Sequence, residues 1–244
     1  MDWFKISGQY LPDLNGKDAA VSPSNVPMTE DNFHLFFETH KSLAGCFYRL
    51  NKINEVIKST EPVLLEAAKM SLWPPLTSCP IQLDDRSTPI LFEIESLVHL
   101  LSGHAERLGK LLEVHYGKTC KGPLYITISK LPDFCIIKNM LLENVATLEY
   151  LHELKNFSQH KMSLSYALRV TIYQAKLLIT LPDLICIKKS TAINIPSHFT
   201  YNEDRTIETE VTKWMESIAK ATKLIVSIYF NLCIEKHNDE KVIK

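Results

Sequence analysis

The side chains best suited to move protons near neutral pH are the 9 histidines. They include the neighbours His34/His40, His99/His104 and His152/His160. None of these pairs has the i, i+4 spacing that sets two imidazoles side by side on a helix, so ordinary structural roles are expected for them. The 6 cysteines (Cys46, Cys79, Cys120, Cys135, Cys186, Cys233) form no CxxC pair. Zinc sites take two ligands from one tight turn, and small disulfide scaffolds are far denser in cysteine, so reduced thiols are expected. The 7 glycines are dispersed, which removes a phosphate-cradling loop. Neither a Gly-x-Ser-x-Gly elbow nor a His-Glu-x-x-His pair nor a kinase signature occurs. No catalytic, cofactor-binding or metal-ligating residue is therefore assigned, and no cofactor is expected. Asn156-Phe157-Ser158 fits a glycosylation sequon and is read as chance.

One acidic constellation offers hard oxygen ligands. Asp84-Asp85 begins an acidic pair, and downstream comes Asn202-Glu203-Asp204-Arg205-Thr206-Ile207-Glu208-Thr209-Glu210. On a helix, Asn202, Thr206 and Glu210 would align at i, i+4 and i+8. This set is similar to the paired metal motifs of class I terpene synthases, and the resemblance implies magnesium ions held against a diphosphate. Thr88 stands where the first motif has its last acid, and Glu203 where the second has Asp. The same acids also read as a helix N-terminus loaded to suit its dipole. A magnesium site would require Asp84 or Asp85 to lie within about 10 Å of Glu210.

These residues need elements to position them. Phe36, Leu43, Leu50 and Ile57 recur at sevens and predict a long helix over 30–59, restarting at Thr60-Glu61-Pro62 and stopping at Trp73-Pro74-Pro75. Ser87-Thr88-Pro89 opens the next helix, with inner row Ile90, Ile94, Leu97, Leu101, Ala105, Leu108 and Leu112 and an end at Gly117. Leu124 to Ile128 reads as an extended connector. Two further helices are expected over 132–157 and 162–181. A polar loop from Ser190 to Asp204 then leads to the seam Val211, Trp214, Ile218, Ala221, Ile225, Ile228 and Leu232. The expected fold is all-α: a single elongated antiparallel helical bundle of five to six helices. Its expected boundaries are an irregular N-terminal arm (1–28), a helical bundle domain (29–236) and a polar tail (237–244).

With 27 Lys+Arg against 28 Asp+Glu, the net charge of -1 lacks the footprint of a general nucleic-acid binder. No apolar run approaches the roughly 20 residues that cross a bilayer, and no secretory signal pattern opens the chain. An intracellular setting, cytoplasm and/or nucleus, is expected. The function expected is that of a non-catalytic adaptor or complex subunit, not an enzyme. Its protein partners would be met by exposed aromatic residues of the arm and of the Trp-Pro-Pro bend: Trp3, Phe4, Tyr10, Trp73 and Leu76. Three other functions fit the pattern: a small-molecule or lipid-binding bundle, a nucleic-acid accessory subunit using Lys118, Lys121, Lys188 and Lys189, and the magnesium enzyme above.

Overall fold

The structure, a computed structural model, describes residues 30–70, 79–80, 88–116, 122–131, 133, 135–161, 163–164, 167–173, 176–190 and 199–242. Helices dominate it: α1 (Glu30–Met70), α2 (Thr88–Tyr116), α3 (Leu124–Lys130), α4 (Ile136–Leu141), α5 (Val145–His160), α6 (Leu184–Lys189) and α7 (Ile207–Val242). A 3-10 turn at Leu142–Asn144 joins α4 to α5. The apolar rows explain the long helices. Every inner-row residue expected for α2 is buried, and so are Val211, Trp214, Ile218, Ala221 and Ile225 of α7. No helix among the described residues is long and apolar enough to cross a membrane. Cys46, Cys135 and Cys186 form no disulfide.

Five expectations give way to local chemistry. α1 does not restart at Pro62 but carries it inside one continuous helix. Leu124 to Ile128 is helical rather than extended, because Leu124, Thr127 and Ile128 bury one i, i+3, i+4 face. The expected helix over 162–181 is replaced by a hairpin of β2 (Arg169–Tyr173) and β3 (Lys176–Pro182). The polar loop ends in a further strand, β4 (Tyr201–Thr206), and α7 runs on into the expected tail. Together with the two-residue β1 (Cys79–Pro80), these strands form an antiparallel sheet in the order β1-β2-β3-β4. In β3, Ile179, Thr180 and Leu181 are all buried, so both faces are covered and the alternation that marks a strand is missing.

The chain divides into two compact units. Unit 1 comprises Met1–Ala44, Gly103–Leu148 and Met215–Lys244, and unit 2 comprises Gly45–Ser102 and Glu149–Trp214. In unit 1, Gly122 adopts φ +147°, which favours glycine, and its carbonyl oxygen would lie 3.3 Å from a Cβ placed on Gly109 of α2. Glycine at 109 thus lets the entry to α3 pack close to α2. Leu131 closes α3, and Lys138 donates to its carbonyl at 2.9 Å and to Asp133 at 2.7 Å, which lowers the Asp133 pKa.

All four strands belong to unit 2. Across the hairpin, Arg169 pairs with Thr180 and Tyr173 with Lys176, while β4 meets β3 at Thr180↔Thr206 and Pro182↔Tyr201. Two Arg–Tyr stacks fasten this end of the sheet. The Arg169 guanidinium lies 5.7 Å from the Tyr201 ring centroid and that of Arg205 lies 4.3 Å from the Tyr150 centroid. At the other end of β3, the Leu177 N–H donates to the Glu61 carboxylate of α1 at 2.9 Å.

Candidate interaction surface

Three polar clusters carry the groups most able to do chemistry, and each begins from a helix position that points inward. In unit 1, His104 on α2 is fully buried. Its Nδ1 lies 2.6 Å from Ser42 Oγ and its Nε2 lies 2.8 Å from Thr222 Oγ1. Thr222 Oγ1 can donate to Nε2 or, at 2.7 Å, to the Ile218 carbonyl, as the tautomer of the ring decides. Ser42 can donate to Nδ1 or, at 2.9 Å, to the Thr39 carbonyl. The imidazole thus bridges α1 and α7 within this unit.

In unit 2, Glu95 and His99 stand one turn apart on α2. Ser158 near the end of α5 donates to one Glu95 oxygen in a short hydrogen bond, and Ser163 donates to the other at 2.7 Å. His99 Nε2 lies 3.0 Å from Ser158 Oγ. Because the serine proton goes to the carboxylate, the imidazole must offer its N–H to Ser158. That proton order is the reverse of a nucleophile–base pair, in which the imidazole lone pair receives the hydroxyl proton. The cluster ties α2 to the end of α5.

The third cluster surrounds Tyr150, also in unit 2. Its hydroxyl donates to the Pro182 carbonyl at 2.8 Å, and its ring lies 6.3 Å from that of Trp214. Burial raises the Tyr150 pKa far above its ordinary value, against the opposing pull of Arg205. The Trp214 indole N–H is buried without a hydrogen-bond partner.

The acidic constellation does not assemble as a helical ligand row. Asn202 and Thr206 lie on β4 while Glu210 lies on α7, so the i, i+4, i+8 alignment is broken at the strand–helix junction. Pairing with β3 extends the segment through Thr206, whose Oγ1 then accepts the Thr209 N–H at 3.2 Å and caps α7. Glu210 is buried and pairs with Lys213 at 2.9 Å. Asp84 and Asp85 lie outside the described residues. Among the described residues, no three His, Cys, Asp or Glu side chains gather to hold a metal ion.

The partner-contact residues expected from sequence, Trp3, Phe4, Tyr10, Trp73 and Leu76, also lie outside the described residues, as do Lys118 and Lys121. Lys188 and Lys189 are exposed at the end of α6, where Lys188 pairs with Glu149.

The described surface instead shows two aromatic side chains that sequence reasoning did not single out, Tyr48 of α1 (67 % exposed) and Phe92 of α2 (63 % exposed). In unit 2, α1 buries Cys46, Leu50 and Ile53, and α2 buries Ile90, Ile94, Leu97 and Leu101. At 100° per residue, Tyr48 and Phe92 each stand opposite the buried row of their own helix. The next residue on each helix, Arg49 and Glu93, forms an ion pair at 2.7 Å that links α1 to α2 beside the two aromatic positions. Lys52, one turn beyond Tyr48, pairs with Glu55 at 3.0 Å; that hydrogen bond, with the Glu55 charge, raises the Lys52 pKa. In unit 1, Ile136, Met140 and Leu142 on and after α4 are exposed, beside the buried Ile137 and Leu141 in sequence.

No protein-family model matches the chain, and no curated protein and no solved structure matches it.

Proposed function

We propose that this chain is a non-catalytic helical interaction protein, an adaptor or subunit of an intracellular assembly, and that it meets its partner through the α1–α2 face bearing Tyr48 and Phe92. The observation that carries this reading is the exposure of two large aromatic side chains on α1 and α2, each next to a member of the Arg49–Glu93 ion pair, while the polar clusters of both units are spent on joining elements. Aromatic residues contribute most to interface energy when a partner removes them from water. The order of protons in the Glu95 cluster and the strand–helix break before Glu210 favour this reading over an enzymatic one. Location in cytoplasm or nucleus is part of the same proposal.

The test is site-specific photocrosslinking in cells that express the full chain. A photoreactive phenylalanine at position 92 is expected to give a discrete protein adduct that the same group at the exposed position 58 does not give. Identical adduct patterns from both positions would remove the basis for an interface on this face.

A further inference from the structure

We draw no further inference here: the strongest candidate, the exposed Tyr48–Phe92 patch on α1 and α2, is the face already described, and nothing in the structure shows what covers it.

Discussion

Each unit holds a histidine of α2 against hydroxyl groups, and the two arrangements differ in what fixes the protons. In unit 1, the hydroxyls beside His104 each have a carbonyl to turn to, Thr39 for Ser42 and Ile218 for Thr222. In unit 2, the Glu95 carboxylate takes the proton of Ser158 and leaves His99 to donate. A cluster whose hydroxyls have alternative acceptors tolerates loss of its centre, because no hydroxyl is stranded. A cluster organised by a carboxylate is polarised from one end, and removing that end reorders it.

Substitutions can break or sharpen this contrast. The largest effect is expected where apolar packing, not proton order, is lost: Trp214→Ala, at a side chain fully shielded from water, should destabilise by about 3–5 kcal/mol in urea unfolding. Glu95→Ala should cost about 1–3 kcal/mol, since it removes the acceptor of both Ser158 and Ser163. It should also turn the Ser158 proton toward His99 Nε2, and nitrogen NMR should then find the ring proton moved to Nδ1. An unchanged His99 tautomer would refute the proton order assigned to this cluster.

Tyr150 adds an alkaline signature. Its folded-state pKa is raised by burial, so its contribution is complete below the ordinary tyrosine value near 10 and is lost as pH rises above it. Above about pH 10 the unfolding free energy should fall by roughly 1.4 kcal/mol per pH unit through this group. Tyr150→Phe should remove that slope while costing about 1 kcal/mol at neutral pH for the hydrogen bond to Pro182. A comparably small effect is expected in unit 1: His104→Leu should cost about 0.5–1.5 kcal/mol, as Ser42 and Thr222 turn to their carbonyls. A cost from His104→Leu equal to that from Glu95→Ala would abolish the contrast.

Much of the helical frame was legible in sequence, because a one-sided apolar row is a strong signal when it runs for many turns. The rows of α2 and α7 needed no tertiary information. The hairpin was not legible, since Ile179 to Leu181 are covered on both faces and carry no twofold alternation. α3 was hidden by its β-branched residues, whose intrinsic preference its packing overrides. The His99–Ser158 and His104–Thr222 bonds join residues 59 and 118 positions apart, which no local spacing encodes. Phe92 could have been placed outward from the inner row alone.

The bond from Leu177 to Glu61 has a consequence for solubility. β4 pairs with β3 only from Thr180 to Pro182, so the backbone at Leu177 borders a stretch that β4 does not cover. Bare strand backbone of this kind invites another chain to extend the sheet and begin a fibril. By accepting that N–H, the Glu61 carboxylate occupies a strand amide that an intruding strand would otherwise pair with.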